Sequence, residues 1–255
     1  MPPTSTELMI CCAARALSDR CTVVVGTGIP CAAAMLAQRT HAPNMVICFE
    51  AGGVAPQLPA LPISVGDSRT FYRGLMAGSM ADVMEFAQRG LMDFTFLSGA
   101  QIDPFGNLNS TIIGKDYAHP KVRLPGSGGA NDLASLCRQT LIIMKHDAKK
   151  FVEKLDFLTT PGHLQGGDSR SAAGLPGFGP KLVITDLAVL DFHPQSKRMR
   201  IQSLNTGVTP AQVLAATGFP LEIPDNPPTT PAPTAEELRI LREEVDPEGI
   251  ILHRG

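Results

Sequence analysis

The apolar run Met45-Val-Ile-Cys-Phe49 ends in Glu50 and passes at once into Ala51-Gly52-Gly53. A carboxylate that terminates a buried strand and leads into a glycine turn stands at the rim of a sheet. In parallel α/β sheets that rim is where ligands bind. The preceding segment supplies the context. Cys21-Thr-Val-Val-Val25 reads as a second buried strand, broken by Gly26-Thr-Gly-Ile-Pro30. Pro30 suits the first turn of a helix over Cys31–Arg39, because it has no N–H to lose there. His41-Ala-Pro-Asn44 ends that helix before the Glu50 strand begins. The result is one β-α-β unit, right-handed by default, with the Gly26–Pro30 loop and Glu50 on the same edge of the sheet.

A chain of 255 residues can bury the core of one large α/β domain or of two small ones. Apolar residues make up 44% and charged residues 18%, the balance of a soluble globular protein. The formal net charge of −2 gives no electrostatic case for nucleic acid or an anionic membrane. Apolar runs are strand-sized, so no bilayer span is expected. Met1-Pro-Pro-Thr-Ser-Thr-Glu7 has no basic region followed by an apolar stretch, so no signal peptide is expected and the location reads as cytoplasmic. Cysteines at 11, 12, 21, 31, 48 and 137 form no CxxC pair and fall mostly inside apolar patterns. They read as buried small hydrophobes rather than disulfide or zinc partners. The histidines show no HxxxH or HExxH spacing, so no metal site is expected.

Along the chain, Thr4 with Glu7 and Ser79 with Asp82 mark helix starts, and Asp93–Ser98 a strand leading into a turn-rich segment. Asn109–Ile113, Thr140–Met144 and Val152–Thr159 read as strands. Pro161–Pro180 holds six glycines without periodicity and reads as a long loop. Strands over Lys181–Thr185, Ala188–Phe192 and Met199–Ser203 follow, the last two joined by a Pro194–Lys197 hairpin turn. Thr209–Gln212 opens a helix ended by Gly218. Pro224–Pro233 reads as a stiff linker, and Thr234 with Glu237 starts a final helix. Residues 1–223 thus form the α/β domain, and 224–255 a linker and helix packing on it. No internal repeat is visible.

Taken singly, these signals are modest. The Gly26/Gly28 loop is GxGxP and lacks the acidic partner of a dinucleotide site. Gly126-Ser-Gly-Gly-Ala-Asn-Asp132 suits an anion-binding nest of N–H groups or, equally, a tight turn. Glu50 alone is more often a solvated acid than a catalyst. Asp67 and Arg69 read as a local pair or cap, Asp103 and Asn107 as turn formers. His119 and His146 carry no assigned role.

Together the segments resemble the β subunit of family I CoA-transferases of the glutaconate CoA-transferase type. The resemblance rests on Val25-Gly-Thr-Gly-Ile-Pro30, on Glu50 before a small residue and glycine, on Ser64-Val-Gly-Asp67, and on Gly99-Ala-Gln-Ile-Asp-Pro-Phe-Gly-Asn-Leu-Asn-Ser-Thr111. It continues through His119-Pro-Lys121, Gly126-Ser-Gly-Gly-Ala-Asn131 and Arg242-Glu-Glu-Val-Asp-Pro247. It implies an open, mostly parallel, doubly wound α/β sheet of the CoA-transferase type with an additional β-rich part.

It further implies that Glu50 is the nucleophile that accepts CoA as a glutamyl thioester, although Ala51 stands where the family carries Ser or Asn. Gly28, Gly128, Gly129 and Ala130 fall on the oxyanion and CoA-binding loops, with Gly128 and Gly129 ahead of Gly28. Gln101, Asn107, Ser127 and Asn131 fall on substrate or site support. CoA is implied as substrate, with no tightly bound cofactor. The implied partners are a homologous α subunit, acyl-CoA and small (di)carboxylic acids. Relatives of this fold also hydrolyse or decarboxylate CoA thioesters, the alternative outcome for such a chain.

Overall fold

The computed structural model describes residues 2–252. The strands are β1 Thr22–Val25, β2 Val46–Phe49, β3 Gly53–Val54, β4 Met76–Ala77, β5 Phe94–Leu97, β6 Gln101–Ile102 and β7 Leu108–Asn109. They continue with β8 Ile112–Ile113, β9 Val122–Arg123, β10 Gln139–Ile143, β11 Pro180–Ile184, β12 Ala188–Phe192 and β13 Met199–Leu204. Helices α1 Ser5–Arg15, α2 Ile29–Arg39 and α3 Met80–Gln88 precede α4 Ala130–Leu136. Helices α5 Ser169–Ala172, α6 Pro210–Ala215 and α7 Ala235–Ile240 follow. The architecture is the expected α/β one with a mostly parallel sheet: inner strands run parallel and antiparallel strands lie outside them. The chain divides into two compact units. One runs to Phe96 and includes the segment from Ala232; the other spans Leu97–Pro231.

In the first unit β1 is flanked in parallel by β2 and β5, and β3 and β4 extend the β2 side antiparallel. Helix α2 is buried continuously from Cys31 to Ala37. A helix buried all round needs cover on several sides, and α1, β1 and the turns after α7 supply it. Its alanines leave room for that close approach. All four cap pairs hold: Thr4–Glu7, Ser79–Asp82, Thr209–Gln212 and Thr234–Glu237 each form reciprocal capping boxes. Helix α7 is tied to α1 by Arg15 Nε donating to Glu237 at 2.8 Å. In the turn that follows it, Arg242 donates to Glu7 at 2.6 Å. Residues 253–255 of the C-terminal segment lie outside the described residues.

The second unit pairs β10 with β11 in parallel and adds β12 and β13 antiparallel, with the expected hairpin turn between the last two. Its core gathers Ile102, Ile142, Phe151, Val183, Leu190 and Ile201. Four expectations differ here. Val152–Thr159 is not a strand: only isolated bridges form, at Phe151, Val152 and Thr160. The intervening Asp156 instead turns its carboxylate toward the Gly114 N–H at 2.9 Å. Asn109–Ile113 is split into β7 and β8, because Asn109 Oδ1 accepts the Thr111 N–H at 3.0 Å and interrupts the ladder. The Pro161–Pro180 loop contains α5, and the proline-rich stretch runs along β13, with Leu204 N–H donating to Pro228 O at 2.9 Å.

Candidate active site

Parallel register aligns Val25 with Phe49. The residues that follow, Gly26 and Glu50, therefore leave the sheet side by side at its C-terminal rim. Glu50 and Ala51 occupy the centre of a tight turn closed by Gly52 N–H donating to Phe49 O at 2.9 Å. The turn is pressed onto main chain. A Cβ on Gly52 would stand 2.1 Å from Gly78 O, and one on Gly53 would stand 2.0 Å from Thr70 O. Both glycines are therefore required by contact, and they fix the base from which the half-buried Glu50 side chain projects. Gly28 caps α2 with φ +80°, a conformation costly for any residue with a Cβ, and open space lies before it. Asp67 and Arg69 form the expected local pair at 2.7 Å, and the guanidinium holds the Asp67 carboxyl well below the usual carboxylate range.

The remaining candidates lie in the second unit and fall into two groups. The first is the glycine loop. Gly126 and Gly128 have φ of +97° and +51° with open space before them, whereas Gly129, at φ −79°, begins α4 in an ordinary helical conformation. Ser127 organises the loop: its carbonyl accepts the Ala130 N–H at 3.0 Å and its Oγ accepts the Asn131 N–H at 3.1 Å. Ala130 N–H is thus already engaged, while the Gly128 N–H has no acceptor among the described residues. Asn131 Nδ2 donates to Thr159 O at 2.9 Å. Thr159 and Ser110, neither singled out in the sequence, complete the support. Thr159 Oγ1 accepts the Ser110 N–H at 2.9 Å, and Ser110 and Gly126 bond each other twice, at 2.9 and 3.0 Å. The Asn109-Ser-Thr111 run was the available signal, since three consecutive short polar side chains favour local backbone bonding over a ladder.

Gln101 and Asn107 form the second group, and both are buried. Gln101 Oε1 accepts from Asn109 Nδ2 at 2.7 Å and from Asp156 N–H at 3.0 Å. Asn107 makes four hydrogen bonds, a side-chain amide's full complement. It accepts from Gly162 and Leu164 N–H and donates to Asp103 Oδ2 and Leu164 O. These two side chains hold backbone. Arg170 continues the scaffold from inside α5. Buried, it donates to the carbonyls of Gly162 at 3.0 Å, Pro176 at 2.9 Å and Ala134 at 2.9 Å, the last in α4.

The chain belongs to the Coenzyme A transferase family, which matches residues 6–216. It is 40% identical over 240 residues to the B subunit of 3-oxoadipate CoA-transferase from Pseudomonas knackmussii, covering 94% of this chain and 92% of that one. It is 37% identical over 250 residues to the B subunit of glutaconate CoA-transferase from Acidaminococcus fermentans, covering 96% and 93%. The crystal structure of the Acidaminococcus fermentans glutaconate coenzyme A-transferase matches with a TM-score of 0.92 at 36% identity, over 98% of this chain and 97% of that one. No helix among the described residues is long and apolar enough to cross a membrane.

Proposed function

We propose that this chain is the catalytic β subunit of a two-subunit CoA-transferase that moves CoA between small dicarboxylic or related acids. The observation that carries the reading is Glu50, held in a glycine-braced turn at the C-terminal rim of parallel strands beside the Gly26–Gly28 loop. The similarity to the B subunits of two CoA-transferases supports it.

The Glu50 carboxylate attacks the thioester carbonyl and expels CoA thiolate, leaving a mixed anhydride. The thiolate attacks the glutamyl carbonyl, releasing the donor acid and forming a glutamyl-CoA thioester. The acceptor carboxylate then attacks that thioester and again expels thiolate. Thiolate attack on the acyl carbonyl yields the new acyl-CoA and restores Glu50. Each step passes through a tetrahedral oxyanion that needs N–H donors. The Gly28 and Gly128 N–H groups are assigned this role, with Gly129 beside them. Ala130, committed to Ser127, serves the loop's shape. Ser127, Asn131, Gln101 and Asn107 support the site. CoA acts as substrate, the partner is a homologous α subunit, and the setting is cytoplasmic.

The test is Glu50→Gln in the chain co-purified with its α partner. Transfer falls by several orders of magnitude, and borohydride after acyl-CoA modifies Glu50 in the wild type only. Unchanged turnover in the Gln variant would overturn the mechanism.

A further inference from the structure

We infer that the exposed hairpin Ile112–Arg123 binds the phosphates of the nucleotide end of CoA, an inference that rests on the CoA-transferase reading. β8 and β9 pair Ile112 with Arg123 and Ile113 with Val122, and residues 114–121 form the tip of the hairpin. Lys115 and Lys121 stand in that tip and Arg123 in β9, all exposed. None of the three pairs with a carboxylate among the described residues. The hairpin's own acid, Asp116, is occupied by the Ala118 N–H at 2.9 Å and by His119 Nδ1 at 3.1 Å. Asp156, beside the hairpin, is engaged by the Gly114 N–H and by Gln101 Nε2 at 3.2 Å. Three cations within nine residues repel one another, and the chain as a whole is slightly acidic. An anion with several charges relieves that repulsion. Arginine offers a phosphate a two-pronged contact and lysine a point charge.

Two further features fit a nucleotide rather than a simple anion. The Arg123 guanidinium lies over the Tyr117 ring at 4.6 Å, and Tyr117 in turn lies 5.7 Å from Phe157 at an interplanar angle of 35°. Flat aromatic and guanidinium faces of this kind are surfaces on which a purine stacks. The hairpin is also continuous with the glycine loop. Leu124 N–H donates to Thr111 O at 2.9 Å, and Gly126 N–H to Ser110 O at 2.9 Å. From Thr111 to Lys115 the chain spans at most about 14 Å. A ligand with a thioester at one end, phosphates at the other and a flexible arm between them matches such an arrangement.

The experiment is calorimetric titration of free CoA and of pantetheine, which lacks the nucleotide, into the chain co-purified with its α partner. Wild type is compared with Lys115→Gln/Lys121→Gln/Arg123→Gln and with Lys121→Gln alone. The triple variant loses roughly tenfold or more in CoA affinity, and the single variant a smaller part of it. Pantetheine binding is unchanged, the complex still assembles, and added salt narrows the gap between wild type and variant. Equal CoA affinity in wild type and triple variant would overturn the hairpin's role and leave the transferase reading standing. So would equal weakening of CoA and pantetheine. Loss of assembly in both variants would assign the hairpin to contact with the α partner instead. A wild-type complex that binds no CoA would overturn both readings.

Discussion

Arg242 donates through Nε and Nη2 to the two oxygens of Glu7 at 2.6 and 3.0 Å, joining residues 235 positions apart. The Glu7 side chain is only 3% exposed. Burial works against its charge, but the Arg242 guanidinium and the Thr4 contacts outweigh that and hold its carboxyl below the usual carboxylate range. Arg242→Met leaves a carboxylate buried without its cation. The expected result is a melting temperature lower by several degrees at pH 7. The loss should shrink as pH falls and Glu7 takes up a proton, which thermal melts between pH 7 and 4 will show.

Gly53→Ala places a methyl where Thr70 O already lies 2.0 Å away. The Glu50 turn has to move or unfold locally, at a cost of about 2 kcal/mol or more. Gly28→Ala meets open space but has to hold φ +80° and ψ −139°, a conformation close to glycine-only, at a cost of about 1–3 kcal/mol. Urea unfolding of the two variants measures these costs. Transfer rates should fall further in Gly53→Ala than its stability loss alone explains.

Asn107→Ala removes four hydrogen bonds and strands the N–H groups of Gly162 and Leu164. Leaving buried donors without acceptors costs about 3 kcal/mol. Asn107→Asp keeps the acceptor but sets a second carboxylate against Asp103, so it does not rescue. Denaturant midpoints decide this. An Asn107→Ala protein of unchanged stability would show that the amide does not hold the Gly162–Leu164 segment.

On acidification, histidine is the first source of lost stability. Burial pushes His146, stacked on Phe151 at 3.9 Å, down to about 4, and His163 likewise to about 4. Each is neutral in the folded state and titrates near 6.5 when unfolded. A lowered folded value means stability fully present above pH 6.5 and lost progressively toward pH 4, on the order of 3 kcal/mol per histidine. Unfolding free energy measured from pH 8 to 4 should be flat above 6.5 and fall below it. His146→Gln should remove part of the slope.

The elements that local chemistry determines were legible from the sequence. Four capping boxes, the strand-ending Glu50 and the Asp67–Arg69 pair all follow from neighbours within a few residues. The two-residue strands β3 and β4 were not, because such short pieces have no period and exist only through the pairing of β3 with β2 and of β4 with β3. Val152–Thr159 misled for the opposite reason: its alternation resembles a strand, yet Asp156 serves Gly114 and Gln101. At the candidate site, the glycines could be read from sequence, but the distances that make Gly52 and Gly53 obligatory involve Gly78 and Thr70, remote along the chain. The roles of Ser110 and Thr159 likewise depend on a contact across 49 residues.

Arg170 meets only carbonyl oxygens, in α4, at Pro161 and Gly162, and at Pro176. None of those acceptors titrates, and an arginine keeps its proton at any pH the fold survives. The fastening between α4 and the segments packed behind it therefore has no member that acid, base or added electrolyte can discharge. Acid reaches it only from outside: a proton taken up by the buried His163 sets a second cation near Arg170, while the carbonyls themselves are unchanged.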